Sequence, residues 1–247
     1  MKILLFGGTT EGRLLAHELA ALKAQVTICV ATDLGEEELG DKCGLSVRSG
    51  RLDQNQMETL MTAFDLCIDA THPYAVLASQ NIRQACVNTK IPYRRVSRKA
   101  SMVPSDVLSV SNACEAAEYL AQKNGNILLT TGAKELPFFS EIARERLYVR
   151  VLPTCESISA CEKEKIPHKN ILALQGPFSK ELNEALLHQF SISWLVTKDG
   201  GCAGGFEEKV QAAKNTGVRM IVIRRPEDEG EDWQTILKEC KEKWICT

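Results

Sequence analysis

Ten cysteines occur in the 247 residues, yet no two of them form a C-x-x-C pair. That absence removes zinc knuckles and iron–sulfur spacings. The cysteines stand singly, most of them in apolar or helical settings such as Cys29 in VTICVA and Cys67 in DLCIDA, where the residue serves as a small hydrophobe. Histidine is scarce: the four residues at 17, 72, 168 and 188 are too scattered for a metal constellation, so no protein-bound metal is expected. Neither sign of charge is in excess. A formal net charge of −2 gives no general attraction to nucleic acid or to an anionic membrane. No apolar run approaches the roughly 20 residues of a membrane span. The first residues offer one lysine and four apolar positions before glycine, too few for a signal-peptide core, and a reducing cytoplasm is the expected compartment. Short-period repeats, low-complexity tracts and coiled-coil heptads are also lacking, and no exposed apolar stripe stands out, so a monomer is expected.

What is present is a chain able to bury a sizeable core, 44% hydrophobic and 25% charged. Short apolar runs that read as buried strands alternate with helical segments. Strands are expected at Ile3–Phe6, Gln25–Ala31, Leu45–Arg48, Leu66–Ala70 and Ile91–Arg94, and a helix opens at Asp53 as N-cap and runs through Phe64. Residues 97–105 (SRKASMVPS) turn small, basic and proline-containing, which marks a boundary. Beyond it, strands are expected at 107–110, 126–131, 147–152, 171–174, 194–197 and 220–223, with helices over 112–123, 135–145, 155–164, 179–189, 205–215 and 232–242. Alternation with short connections implies parallel sheets covered on both faces. The expected fold is α/β, two Rossmann-like lobes with mainly parallel sheets and an interlobe cleft. The lobes are a nucleotide-binding one over 1–98 and a second over 99–247.

The first strand breaks at Gly7-Gly8, and a helix begins near Glu11. Strand, glycine turn and helix start make an anion cradle, because backbone N–H groups and the positive end of the helix dipole face outward together. Glycine lets a pyrophosphate approach the backbone. Thr9 and Thr10 supply hydroxyls to cap the helix or to meet a phosphate, and Arg13 follows one turn in. The glycines at 7, 8 and 12 depart from the G-x-G-x-x-G spacing of common dinucleotide folds. Asp33, past the end of the second strand, stands where an acid holds the ribose hydroxyls of NAD and repels the phosphate of NADP.

Ligands of open parallel sheets bind outside the carboxyl ends of the strands. Those ends carry Thr71-His72-Pro73-Tyr74, Thr130-Thr131-Gly132-Ala133-Lys134, Gln175-Gly176-Pro177-Phe178-Ser179 and Lys198-Asp199-Gly200-Gly201 running on to Gly204-Gly205. Glycine, hydroxyl and lysine recur there while the strands are apolar. Each position has a plainer reading. His72 before proline can cap a turn, Lys134 and Lys198 can be solvated, and Arg94, Arg95 and Arg98 can form a salt-bridged edge or a carboxylate patch. The acidic run Glu227–Asp232 reads as a solvated turn. Tyr119 and Lys123 match the Y-x-x-x-K of short-chain dehydrogenases, but no strand-end serine serves them.

Taken in order, GGTTEGR, DATHPYA (69–75), TTGAKEL (130–136), LQGPFS (174–179), TKDGGCAGGFEEKVQAA (197–213) and VIRRP (222–226) resemble the precorrin-6A reductase family, including its cobalt-precorrin-6A branch. The resemblance covers nearly the whole chain. It implies hydride transfer from NADH or NADPH to a ring double bond of a tetrapyrrole in corrin biosynthesis, with a proton to the neighbouring carbon. It implies cofactor contacts at Gly7, Gly8, Thr9, Thr10, Glu11, Gly12, Arg13, Thr71 and Tyr74. Ring contacts are implied at Thr131, Gly132, Lys134, Gln175, Gly176, Pro177, Lys198, Gly201 and Gly204. Asp199, His72, Lys198 and water stand as proton sources, and any cobalt is substrate. Val30-Ala-Thr-Asp33 lacks an arginine, which leans to NADH and, by analogy, to the cobalt branch. Two rivals remain open: a reductase of a small carbonyl compound working through Tyr119 and Lys123, and a non-enzymatic dinucleotide sensor.

Overall fold

A computed structural model describes residues 1–37, 39–40, 43–97, 101–201 and 204–245. Arg98, the expected boundary at 98/99, and Cys202 and Ala203 of the glycine-rich stretch lie outside the described residues. The chain forms two compact units, Met1–Lys99 with Pro226–Thr247, and Ala100–Arg225.

The first unit contains β1 (Lys2–Phe6), α1 (Thr10–Ala21), β2 (Gln25–Val30), α2 (Asp33–Glu37), β3 (Leu45–Ser49), α3 (Gln54–Met61), β4 (Leu66–Asp69), α4 (Val76–Thr89) and β5 (Tyr93–Arg95). Its sheet has the order β3-β2-β1-β4-β5, and every pairing is parallel. Alternate residues of each strand feed opposite faces. Ile3, Leu5, Ile28 and Ile68 pack with Leu15 and Leu19 of α1, whereas Leu4, Phe6, Cys29 and Cys67 pack with Met57, Met61, Ile82 and Cys86 of α3 and α4. The chain winds outward from β1 to β3, then crosses back to β4, so the topology reverses between β1 and β4. Asp53 caps α3 as the sequence implies, in a reciprocal capping box with Gln56 (both bonds 2.9 Å).

The second unit contains β6 (Leu108–Val110), α5 (Ala113–Ala121), β7 (Asn126–Thr130), β8 (Leu147–Val151), α6 (Cys155–Lys163), β9 (Ile171–Ala173), α7 (Lys180–Gln189), β10 (Ile192–Lys198), α8 (Phe206–Thr216) and β11 (Arg219–Ile223). Its sheet is also parallel throughout, in the order β6-β11-β10-β7-β8-β9. Here the reversal falls between β7 and β10. One face carries α7 and α8 over Leu128, Leu195 and Val222; α5 and α6 lie against the strands as well. The Rossmann-like α/β reading therefore holds for both units.

Three expectations need correction. Residues 135–145 are no α-helix; two short 3₁₀ turns occupy Ala133–Phe139 and Arg144–Arg146. Pro137 lies inside the first, and a proline withholds the N–H that an α-helical ladder would use there. The second lobe does not run to 247. From Pro226 onward the chain belongs to the first unit, where α9 (Trp233–Cys240) places Ile236, Leu237 and Cys240 in the same apolar cluster as α1. Periodicity marks a helix at 232–242 but not the sheet it will cover. The acidic run 227–232 is more than a solvated turn, because Asp228 pairs bidentately with Arg95.

Candidate active site

The first constellation gathers at the reversal between β1 and β4, whose ends align as Phe6 opposite Asp69. Gly7 ties the turn to β2 by donating its N–H to Cys29 O at 2.8 Å. Gly8, with φ of +151°, is exposed, and a Cβ there would stand 3.5 Å from His72 N and 3.6 Å from Thr71 Cα. The glycine turn and the Thr71–Tyr74 loop are thus neighbours. Thr9 is the N-cap of α1: its Oγ1 accepts from Gly12 N (3.1 Å) and donates to Ala70 O (3.0 Å), which spends the hydroxyl hydrogen on the fold. Gly12 is required sterically, since a Cβ would lie 2.6 Å from Ala70 Cβ. Thr10 and Glu11 open the helix, Arg13 N bonds Thr9 O, and Asp33 is exposed at the start of α2. The end of β3 lies beside that of β2, with Gly50 N on Val30 O, which brings Arg51 to the same edge.

Behind the loop lies a network that composition alone does not reveal. Asp69, wholly buried, accepts from Arg95 Nη1 (2.7 Å), Thr71 Oγ1 (2.7 Å), Thr71 N (3.0 Å) and Tyr93 OH (3.1 Å). Arg95 also donates to Thr71 Oγ1 (3.0 Å) and grips Asp228 through Nε and Nη2 (2.9 and 3.1 Å). Burial works against the Arg95 charge, but Asp228 and Asp69 outweigh it and raise its pKa. Burial, with Asp69 beside it, likewise lifts the Tyr93 phenol above its ordinary value. Arg94 pairs with Glu239 and Glu231, so the arginine pair is a salt-bridged edge, though half of it is buried. A cavity of about 330 Å³ opens beside it, lined by Pro73, Ser79, Arg83, Tyr93 and Asp228 among others. His72 stacks on Tyr74 (centroids 5.5 Å apart), and its Nδ1 accepts a long bond from Tyr74 N at 3.4 Å.

The second constellation lies at the ends of β7, β9 and β10. Thr130 stands opposite Thr197, so Thr131-Gly132 and Lys198-Asp199 leave the sheet side by side. Thr131 is 7% exposed and its Oγ1 has no hydrogen-bond partner among the described residues. Lys198 Nζ meets Glu135 Oε1 at 2.5 Å, and Lys134 is exposed. Asp199 is buried. It accepts from Arg225 Nε and Nη2 (both 3.2 Å), Gly201 N (3.2 Å) and Ser101 N (3.4 Å). Burial opposes ionisation of that carboxyl, but the bonds from Ser101 and Arg225 win and lower its pKa. A carboxylate so held is a poor proton donor. Gln175, Gly176 and Pro177 are exposed, and a Cβ on Gly205 (φ +65°) would lie 3.7 Å from Pro177 Cβ, so the two glycine-rich loops adjoin. Gly201 (φ +73°) and Gly204 join through Gly204 N to Gly201 O at 3.0 Å.

Tyr119 and Lys123 fall elsewhere. Lys123 Nζ sits 4.8 Å from the Tyr119 ring centroid and Tyr119 packs edge-on to Trp194, near the amino ends of β7 and β10. That is the end of the sheet opposite the glycine loops. It also makes the buried Trp194 a poor optical reporter for those loops. Among the described residues no three His, Cys, Asp or Glu side chains could hold a metal, and no helix is long and apolar enough to cross a membrane.

The model of the family described as precorrin-6x reductase CbiJ/CobK matches residues 2–241. The chain is 38% identical over 234 residues to the cobalt-precorrin-6A reductase of Priestia megaterium, covering 92% of this chain and 91% of that one. It is 36% identical over 233 residues to the cobalt-precorrin-6A reductase of Salmonella typhimurium, covering 91% and 87%. A solved structure described as CobK precorrin-6A reductase superposes with a TM-score of 0.80 at 23% identity, over 99% of this chain and 98% of the other, a likeness of fold.

Proposed function

Because the chain belongs to the precorrin-6x reductase family CbiJ/CobK, and is thereby an oxidoreductase, we propose that it reduces cobalt-precorrin-6A to cobalt-precorrin-6B with a reduced nicotinamide dinucleotide. The observation that carries the reading is the apposition of Gly8 and the Thr71–His72 backbone at the reversal of the first sheet. The dinucleotide fits there: Gly8 leaves the turn bare, Gly12 lets α1 seat against Ala70, and α1 presents its N-terminus. When bound, the nicotinamide supplies the hydride. The protein's part is orientation and the proton, since no nucleophile of its own is needed.

Thr71 and Tyr74 lie on the loop beside that turn, and the Asp69–Arg95 network fixes the first of them. His72, whose Nδ1 accepts from Tyr74 N and so leaves a hydrogen on Nε2, is suited to orienting a water that delivers the proton, since a neutral imidazole does not itself give up Nε2–H. Asp199 is held ionised and Lys198 is engaged with Glu135, which leaves both better suited to shaping the ring site. Thr131, Gly132, Lys134, Gln175, Gly176, Pro177, Gly201 and Gly204 would face the tetrapyrrole, whose many carboxylates call for dispersed N–H, hydroxyl and lysine donors. Asp33 favours NADH, while Arg51 at the neighbouring strand end is a cation that could meet a 2′-phosphate. We assign the preference to NADH. A monomer in the cytoplasm completes the reading, and nothing in it calls for nucleic acid or a membrane.

The test is anaerobic turnover. NADH or NADPH is added with cobalt-precorrin-6A or precorrin-6A, following nicotinamide absorbance and the corrinoid spectrum together. Joint loss of nicotinamide absorbance and a blue shift of the corrinoid support the reading. A kcat/KM for NADPH tenfold above that for NADH, about 1.4 kcal/mol, overturns the cofactor assignment. Cofactor binding without oxidation in either pairing overturns the reductase.

A further inference from the structure

Arg150 is the next-to-last residue of β8, in a strand otherwise apolar or aromatic, and only 6% of it reaches solvent. A buried guanidinium ordinarily has a carboxylate beside it, because desolvating an unpaired charge is costly. Among the described residues Arg150 has none within ion-pair distance. It donates from Nη1 to Asn183 Oδ1 at 2.9 Å and lies 4.3 Å from the ring centroid of Phe178. Its remaining N–H groups, out of the five a guanidinium carries, have no acceptor there. Asn183 is itself buried and fixed, donating from Nδ2 to the carbonyls of Ser179 (2.8 Å) and Phe178 (3.4 Å), so the guanidinium is aimed by a rigid neighbour.

A second buried cation belongs to the same corner. Lys209, in the opening turn of α8, is 9% exposed, and its Nζ has one acceptor among the described residues, Gly204 O at 2.9 Å. Burial and the charge of Arg150 push its pKa down to about 8, while burial takes Arg150 down to about 10. Glu208 is the acid at hand, yet it pairs with neither cation, and among the described residues its buried Oε2 has no partner. A Cβ on Gly205 would stand 3.6 Å from that oxygen and 3.8 Å from Phe178 N. Strand β8, the loop into α7 and the start of α8 therefore converge on two cations that, among the described residues, have no carboxylate within ion-pair distance.

We propose that Arg150 and Lys209 form an anion subsite at the start of α8, which receives an oxyanion group of one of the two reactants. Two sources share that chemistry, a carboxylate arm of the tetrapyrrole and the pyrophosphate of the dinucleotide. The first is favoured, because the first unit already carries a glycine cradle for a pyrophosphate. The identity of the donor rests on the reductase reading; the subsite does not.

The test compares wild type with Arg150→Met, Arg150→Lys and Lys209→Met in two assays. The first needs no turnover: thermal unfolding with rising inorganic phosphate or propionate at fixed ionic strength. Both anions should raise the Tm of wild type and of Arg150→Lys, but not that of Arg150→Met. Unliganded Arg150→Met should unfold at or above the wild-type temperature, as a buried unpaired cation has been removed. An arginine with a structural role alone gives the reverse, a lower Tm and an unchanged response to anions. If Arg150→Met does not fold, Lys209→Met carries the same comparison. In the second assay, a ring KM raised about tenfold or more in both methionine variants, with the nicotinamide KM unchanged, assigns the subsite to a ring carboxylate; the opposite split assigns it to the dinucleotide. No anion protection in wild type, or both KM values within twofold of wild type in both methionine variants, overturns the proposal. Anion protection in a wild type that reduces neither precorrin leaves the subsite standing and removes the reductase reading instead.

Discussion

The two sheets share a topology but furnish their carboxyl ends in opposite ways. In the first unit the strongest buried polar groups are neutralised from within. Asp69 is met by Arg95, Thr71 and Tyr93, and the far side of Arg95 is met by Asp228. In the second unit, among the described residues, Arg150 and Lys209 are buried with no acid within ion-pair distance, and Thr131 Oγ1 is buried with no partner. Asp199 with Arg225 is the second unit's counter-example, and it fastens a backbone turn. A self-satisfied network makes a rigid platform at little cost on binding. A site with polar capacity left over is completed by what enters it. The difference is consistent with the proposed roles: the glycine turn offers a preformed backbone surface, and the second unit keeps cationic capacity for an anion to complete.

The sharpest way to break the comparison is Arg95→Ala. It strands Asp69 without its cation and frees Asp228, which holds the segment after Pro226 against the first sheet. The loss of stability should be about 3–5 kcal/mol, read from the midpoint of denaturant unfolding. The cost belongs to the stranded charge, so Asp69→Asn in the same chain should recover part of it. A loss below about 1 kcal/mol would show that the network is no platform.

A smaller effect tests the turn itself. In Gly12→Ala the added methyl meets Ala70 Cβ at 2.6 Å, backed by the rigid end of β4. The expected cost is about 1–3 kcal/mol of stability together with weaker nicotinamide binding. Gly12→Ala combined with Ala70→Gly removes the collision and should restore both, as measured by thermal unfolding and by nicotinamide fluorescence titration.

How much of this was legible follows the same division. Local signals carried well. The apolar runs mark the strands, Asp53 marks the start of α3, and the glycine turn with Thr71–Tyr74 is visible as residues that a parallel sheet brings to one edge. What was not legible depends on long-range pairing. Arg95 reads as one of three basic residues in a row of edge candidates, and its acids come from 26 and 133 positions away. Arg150 carries a faint signal, a lone charge in the apolar stretch LYVRVL, but nothing in that stretch reveals that Asn183 would be its acceptor or that Lys209 would share its corner. The place of α9 was hidden for the same reason, because an amphipathic helix states that it covers something without stating what.

A subtler effect separates the two ends by pH. The Lys209 pKa stands at about 8 in the fold against an ordinary 10.5, with burial as the main cause, Arg150 adding to it from β8 and Glu208 opposing from α8's own first turn. Between those values the unfolded chain binds more protons, so this group makes the unliganded protein more stable as pH rises through the window. Anion binding runs the other way, since it needs the charged amine: protection by inorganic phosphate should fall as pH rises through about 8. Lys209→Met should abolish both trends. Nicotinamide binding at the proposed turn, where the described residues include no buried lysine, should stay level over the same range, and a parallel fall there would erase the contrast.

The smallest effect expected is from Tyr119→Phe, and its smallness is informative. If this were a short-chain dehydrogenase, that hydroxyl would be the acid and its loss would abolish turnover. In the fold the ring packs on Trp194 and beneath Lys123 near the amino ends of β7 and β10, which are the ends where a parallel sheet does not bind its ligand. Phenylalanine keeps the ring and with it the packing, while the hydroxyl is a group whose removal at a partly exposed position costs within about 0.5 kcal/mol. Turnover and Tm should both stay within error of wild type. A loss of kcat of a hundredfold with unchanged Tm would place the chemistry at the wrong end of the sheet and defeat the assignment of both strand-end sites at once.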